Sequence, residues 1–323
     1  MRLTNHLPHL AVLLAATLLV GGCSSSRIKE VGSGQVGTGE IDAAMRSTEE
    51  PEAHAWMHPD VPAAWDQGFR GDSATLTVLD DFTSGSLSSG DLGTGERSLH
   101  HGEWVQQIAH MVAPEARTRA QDYEDRLRSV QLAPGLNVIN ASFAWQSKPN
   151  RNPDAVIRSH SDVASMVDHA REGRAVVVKA AGNSGVAVGR THQGNHDYLN
   201  EALIGQTGAI FVGALERNGT TSRPAPLASY SNVAGDTPTV QNQFLVVGVE
   251  GHRTNLYGTS YAAPVVSGYA AILGSKFRSA SAPQITNQLL STARTDTVRS
   301  YSSTIHGRGE ASLSRALAPD RIR

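Results

Sequence analysis

The chain has 323 residues, of which 39% are hydrophobic and 18% are charged, and its formal net charge is −2. This length allows one large buried core or two small ones. A charge so close to zero gives no electrostatic basis for binding nucleic acid, so no nucleic-acid partner is expected. The chain contains one cysteine, which excludes a disulfide within one molecule.

Residues 1–22 have the pattern of a secretory signal. Arg2 precedes an apolar stretch, residues 10–20, that is too short for an ordinary membrane span. Small residues then lead to Cys23, and this resembles the cleavage motif of bacterial lipoproteins. The resemblance implies cleavage before Cys23, acylation of its thiol with a fatty acid such as palmitate and, because Ser24 follows, an outer-membrane location in the cell envelope. The alternative is a signal peptide with an incidental cysteine.

Residues 23–53 are rich in Ser and Gly and have no sustained apolar period. This composition predicts a flexible, lipidated tether rather than a packed element. The sequence from residue 54 to residue 320 is predicted to form a single domain.

The apolar pattern of this domain alternates between strands and helices. Strands are predicted at residues 74–79, 136–139, 175–178 and 210–214, and helices at residues 102–112, 162–171, 264–277 and 283–293. Such alternation predicts an α/β fold with a mostly parallel sheet and helices on both faces, and with a functional site at the carboxyl ends of the strands.

Residues 258–264 read GTSYAAP and run into the apolar helix. A glycine-rich turn at a helix start exposes Ser260 and provides unpaired backbone N–H groups for a developing oxyanion. Alone this motif is weak, because Gly-Thr-Ser also caps ordinary helices.

Further motifs precede it, in the order Asp80, His101, Asn183 and Ser260. With this order the chain resembles the subtilisin-like serine peptidases, the subtilase family. The similarity extends over residues 54–318 and includes four further segments, at residues 62–71, 112–116, 138–142 and 228–232. It implies the three-layer subtilisin-like fold and a serine endopeptidase that acts on proteins or peptides as a monomer.

The resemblance also implies roles for individual residues. Ser260 would be the nucleophile and His101 the general base, with Asp80 orienting the imidazole. The side-chain amide of Asn183 would donate to the oxyanion.

Two of these assignments have a neighbouring rival. His100 precedes His101, and Asp81 follows Asp80 where the family normally has Thr or Ser. Alternation along a strand sends adjacent side chains to opposite faces, so only one of the two carboxylates can meet the imidazole.

Two segments resemble the walls of the family's first specificity pocket. They contribute the predicted substrate-binding residues Ser142, Phe143, Ala144, Ala181 and Gly182.

No cofactor is expected. His192 and His196 have the spacing of a ligand pair but lie in a loop-like sequence, and no Asp-rich calcium loop is visible, although many subtilases bind structural calcium.

A propeptide is not expected either. Members of the family usually carry a folded one, but residues 24–53 contain too little apolar sequence for it, so the domain is expected to fold without a propeptide.

Two other functions remain open at this point. An inactive copy of the fold could serve as a binding or scaffold protein, as the departures around Asp80 and His101 would allow. Asp81 follows Asp80, and Glu103 and Trp104 stand where the family normally has Thr and His. An esterase would use the same triad and differ only in the cleft.

Overall fold

The computed structural model describes residues 50–148 and 152–322. The predicted signal peptide, most of the predicted tether and Cys23 lie outside the described residues. Within the part that is described, no helix combines the length and apolar character needed to cross a membrane.

The described residues form ten strands and eleven helices. The strands are β1 Ala74–Asp80, β2 Ser88–Gly90, β3 Arg97–Leu99, β4 Arg117–Asp122, β5 Leu136–Ala141, β6 Gln146–Ser147, β7 Val176–Ala180, β8 His196–Asp197, β9 Ala209–Leu215 and β10 Phe244–Gly248. The helices are α1 Asp60–Asp66, α2 His101–Val112, α3 Pro153–Arg158, α4 Ser161–Arg171, α5 Tyr198–Leu203, α6 Pro238–Asn242, α7 Gly251–Thr254, α8 Thr259–Lys276, α9 Ala282–Ser291, α10 Ser303–His306 and α11 Leu313–Leu317.

Six strands form the central sheet in the order β10-β9-β7-β5-β1-β4, and every neighbouring pair is parallel. Every residue of β1, β7, β9 and β10 is buried. Parallel strands covered on both faces read as continuous apolar runs, which is why β1, β7 and β9 are predictable from the sequence. The edge strand β4 is largely polar and gives no such signal.

Alternate side chains of the sheet enter two separate hydrophobic clusters. Val138 and Val178 belong to a cluster that includes α8 and α2, whereas Ile139 and Val177 belong to one that includes α4 and α5. The period-two alternation of a strand thus produces a core on each face of the sheet.

Helix α8 lies at the centre of the first cluster. All its residues are buried except Ser260, in its first turn, and Lys276, at its end. It begins five residues earlier than the predicted helix, because Pro264 lies inside it rather than at its start. Ser260 is therefore the one residue in the first turn of this helix that is not buried.

Candidate active site

The Asp80 and His101 side chains meet where β1 ends and α2 begins. The Asp80 carboxylate is completely buried, and its Oδ1 lies 2.5 Å from Nδ1 of His101. The start of α2 is tied to this strand end by the Gly102 N–H, which donates to the Asp81 carbonyl at 2.8 Å. A side chain on Gly102 would collide with that carbonyl, so the close approach of helix and strand requires glycine here.

The pKa of His101 is raised above its ordinary value. Burial of the imidazole acts in the opposite direction, but the hydrogen bond to Asp80 and the charges of Asp80 and Asp81 outweigh it. The buried carboxylate thus stabilises the imidazolium form and fixes Nδ1 as the protonated nitrogen of the neutral ring.

The neighbouring Asp81 and His100 take other positions. Asp81 lies just beyond β1, where its carboxylate accepts hydrogen bonds from the hydroxyl of Ser84 and from the N–H groups of Thr83 and Ser84. His100 precedes α2 in an extended conformation, and its N–H donates to the Glu103 carboxylate at 2.8 Å. Neither side chain hydrogen-bonds to Asp80 or His101, although the backbone N–H of Asp81 donates to Asp80 Oδ1 at 2.8 Å. The Asp81 carboxylate does not reach the imidazole because β1 ends at Asp80. The expected alternation of side chains between the two faces of the strand is not the reason, since Asp81 lies outside the strand.

Tyr261 connects the imidazole to the start of α8. Its ring centroid lies 5.6 Å from that of His101. Because Tyr261 directly follows Ser260, the imidazole lies beside the turn that carries this serine.

The Ser260 hydroxyl donates to the Ser142 carbonyl at 3.0 Å. In return, the Ser142 hydroxyl donates to the Ser260 carbonyl at 2.9 Å. In a regular helix the N–H of residue 264 would donate to the Ser260 carbonyl, but Pro264 has no N–H. The proline therefore frees an acceptor that Ser142 satisfies.

A buried polar network continues behind Ser142. The Asn140 amide donates to the Ser142 hydroxyl at 2.9 Å and accepts from the Ser267 hydroxyl at 3.0 Å. Sequence reasoning missed Asn140 and Ser267. The available signal was a polar residue directly after two apolar residues in each element, since buried polar groups require partners.

Asn183 follows β7 and is held by Thr259. Its Oδ1 accepts from the N–H of Thr259 at 2.8 Å and from its hydroxyl at 2.9 Å. The Nδ2 group has no acceptor among the described residues, so it is free to donate to a bound group. The amide of Ser260, in the first turn of α8, likewise lacks an intrahelical acceptor.

A cavity of about 200 Å³ opens beside Ser260 and Asn183. Four of the predicted substrate-binding residues line it, namely Ser142, Phe143, Ala144 and Gly182. Ala181 does not line it: it is fully buried, and its carbonyl accepts from the amides of Asn200 and Asn232, which do. Ala181 thus supports the wall instead of forming its surface.

The cavity also contains residues that the sequence analysis did not select. Lys179 is a buried lysine in the otherwise apolar strand β7, Asp197 is the last residue of the short strand β8, and Arg190 lies in the segment between these two strands. A lysine within an apolar run is itself a signal, because a buried ammonium needs a partner.

The histidine pair gives no metal centre in the described residues. His196 pairs with Glu201, Nδ1 to Oε1 at 2.5 Å, and His192 closes a turn with Asn195. Among the residues described, no group of three or more His, Cys, Asp or Glu side chains could hold a metal ion.

A family model described as the subtilase family matches residues 89–309. This is well over half of the chain, and the chain therefore belongs to the subtilase family. His101, Asn183 and Ser260 lie inside the matched region, whereas Asp80 precedes it.

The proteins similar to this chain include one sequence relative and two solved structures. Subtilisin DY from Bacillus licheniformis is 32% identical over 161 residues, which cover 49% of this chain and half the length of that relative. The MycP3 protease of the type VII (ESX-3) secretion system is 22% identical with a TM-score of 0.52, and the match covers 84% of this chain and 90% of that one. A lanthipeptide protease is 17% identical with a TM-score of 0.53, over 79% of this chain and 91% of that one. These structures show the fold and confirm the predicted α/β architecture with helices on both faces of a mostly parallel sheet.

Proposed function

We propose that the protein is a serine endopeptidase that uses Ser260, His101 and Asp80 to hydrolyse peptide bonds through an acyl-enzyme. The observation that carries the proposal is the 2.5 Å contact between the buried Asp80 carboxylate and His101 Nδ1, beside the turn that exposes Ser260. Membership of the subtilase family, and a cavity next to this serine, support it.

The chemistry follows from the protonation state of the imidazole. Asp80 accepts the Nδ1 proton, so Nε2 of neutral His101 is an acceptor and can take the Ser260 proton. The hydroxyl first has to turn away from the Ser142 carbonyl, a rotation between staggered wells about its Cα–Cβ bond. Its oxygen then attacks the substrate carbonyl carbon, and protonated His101 gives the proton to the leaving amine. Water completes the reaction by hydrolysing the acyl-enzyme.

The oxyanion formed in each step needs donors that already point at it. The Asn183 amide, oriented by Thr259, and the unpaired Ser260 N–H fulfil this requirement. Because these donors are fixed before the charge develops, little reorganisation is needed during the reaction.

Covalent labelling tests the proposal. A fluorophosphonate probe is expected to modify Ser260 in the wild-type protein, and Ser260→Ala is expected to lose both labelling and hydrolysis of casein. Ser229→Ala, which removes an exposed serine that does not line the cavity, serves as the control. Full labelling of Ser260→Ala would mean that the nucleophile lies elsewhere. An unlabelled wild-type protein would favour a non-catalytic binding role, and cleavage of acyl esters but not peptides would favour an esterase.

We also propose that the enzyme is attached to the bacterial cell envelope through a lipid on Cys23 and acts on neighbouring proteins there. The sequence before Cys23 supports this, and the Ser24 that follows favours the outer membrane. Cys23→Ser is expected to prevent palmitate incorporation and to release the protein from membrane fractions, whereas Ser260→Ala stays attached. A wild-type protein found fully in the soluble fraction would contradict the anchor without affecting the proposed catalysis.

A further inference from the structure

The cavity beside Ser260 has a specific place relative to a bound peptide. A carbonyl held between Ser260 and Asn183 belongs to the residue that precedes the scissile bond. The side chain of that residue therefore enters the cavity next to both groups. If the proposed peptidase activity is right, the walls of this cavity select the residue before the cleaved bond.

The charges on these walls are unequal. Lys179 and Arg190 are cationic and line the cavity, whereas Asp197 is the one acidic residue among the described residues that line it. Most of the other side chains around it are small or are neutral and polar, among them Asn195 and Asn200. Phe143, Val186 and the alanines at positions 144, 180 and 187 supply the apolar part of the lining.

Lys179 and Asp197 neutralise each other at the buried end. The Lys179 ammonium donates to the Ala180 carbonyl at 2.6 Å and lies 3.6 Å from the Asp197 carboxylate. Burial lowers the pKa of this ammonium, and the charge of Asp197 opposes that effect. A second carboxylate nearby would stabilise the protonated lysine further.

Arg190 carries the positive charge that is left in the cavity after Lys179 and Asp197 are paired. Its backbone N–H is held by the Ala187 carbonyl at 3.0 Å, but its guanidinium has no ion pair or hydrogen bond with the described residues. A guanidinium presents paired N–H donors that match a carboxylate in a bidentate arrangement. With Lys179 paired to Asp197, this arginine leaves the cavity with a net positive charge.

We propose that this cavity binds an acidic side chain, Glu or Asp, at the residue before the scissile bond. This inference rests on the proposed peptidase function and names its substrate class. The neutral competitor is Gln, which has the same shape as Glu. Its amide could donate to the buried Asn200 Oδ1, which has no hydrogen-bond partner among the described residues.

Four peptides that differ only at this position, with Glu, Gln, Leu or Lys, test the proposal on the purified protein at a pH where Glu is ionised. We expect kcat/KM for Glu to exceed that for Gln by about tenfold, the effect of one charge-assisted hydrogen bond, and Lys to be the poorest. Arg190→Gln should bring the Glu-to-Gln ratio close to one, and Arg190→Glu should favour Lys. Arg299→Gln removes the same charge from an exposed arginine outside the cavity and should keep the wild-type ratio.

Fluorophosphonate labelling of Ser260 in the same samples separates the two proposals. If Ser260 is labelled and the peptides are cleaved, but Gln, Leu or Lys equals or exceeds Glu, the acidic specificity is wrong and the peptidase function stands. The same conclusion follows if Arg190→Gln leaves the Glu-to-Gln ratio unchanged. If there is neither labelling nor cleavage, both proposals fail.

Discussion

Ser142 and Ser260 are joined by two hydrogen bonds of opposite direction, each from the hydroxyl of one to the carbonyl of the other, at 2.9 and 3.0 Å. The bond from Ser142 exists because Pro264 leaves the Ser260 carbonyl without its intrahelical donor. Asn140 in turn fixes the Ser142 hydroxyl. The backbone of the proposed nucleophile is thus held by the residue that directly follows β5.

The first prediction concerns Ser142→Ala, which removes the donor to the Ser260 carbonyl but keeps the main-chain carbonyl of residue 142. We expect kcat/KM to fall about 2- to 12-fold, the rate equivalent of a net hydrogen bond of about 0.5–1.5 kcal/mol. Ser267→Ala lies at the other end of the network and should lower the midpoint of urea unfolding with less effect on kcat/KM. Equal kinetic losses in the two variants would show that the network acts only through stability.

The second prediction separates Asp80 from Asp81. Asp80→Asn should lower kcat by about 10⁴, because an amide at this position favours the wrong imidazole tautomer. Asp81→Asn should cost less than about tenfold, since its carboxylate bonds to Thr83 and Ser84 rather than to His101. If steady-state assays gave comparable losses of kcat for the two variants, Asp80 and Asp81 would act as a coupled pair of carboxylates.

The third prediction separates His101 from His100. His101→Ala should remove the general base and abolish measurable turnover. His100→Ala keeps the N–H that donates to Glu103, so helix α2 and the activity should be nearly unaffected. Circular dichroism spectra of both variants serve as the control for folding. The opposite ranking of activities would place the base one residue earlier.

The fourth prediction is a pH profile. The general base works as neutral imidazole, and the pKa of His101 is raised by Asp80 and Asp81 against the effect of burial. Activity should therefore rise with pH through a midpoint above about 6.5, the ordinary histidine value. Removing one of the two charges in Asp81→Asn lowers this pKa, so the midpoint should move to lower pH. Profiles of kcat/KM measure it, because they report the free enzyme. A wild-type midpoint below about 6.5 would contradict this assignment.

The fifth prediction concerns Asn183→Ala. Removal of a single oxyanion donor costs about 10²–10³ in kcat. Because this donor acts mainly in the transition state, KM should change little. Thr259→Val, which removes the hydroxyl that orients the amide, should give a smaller loss in the same direction. A change in KM alone would show that Asn183 stabilises the bound substrate as much as the transition state.

Much of the fold could be predicted because its central elements have simple apolar patterns. The predicted ends of α2, α4 and α9 lie within two residues of the observed ones. Strand β4 could not be recognised, since Arg117–Asp122 is polar and pairs along one edge only, with β1. Strand β10, Phe244–Gly248, was missed although it is an apolar run of the same length as β7, which was predicted.

The sequence by itself determined the family, the alternation of strands and helices, and the residue types at Asp80, His101, Asn183 and Ser260. These follow from local motifs and from the burial of parallel strands on both faces, which a linear pattern records. The catalytic roles of these residues stay predictions.

Tertiary structure decided which groups meet across the cleft. Ser142 and Ser260 are 118 residues apart, and their paired hydrogen bonds depend on how β5 approaches the first turn of α8. The pairing of Lys179 with Asp197, and the position of Arg190 on the same cavity, likewise depend on how β8 and the segment before it fold against β7. No periodicity encodes such contacts, because each is set by the relative placement of elements that are distant in the chain.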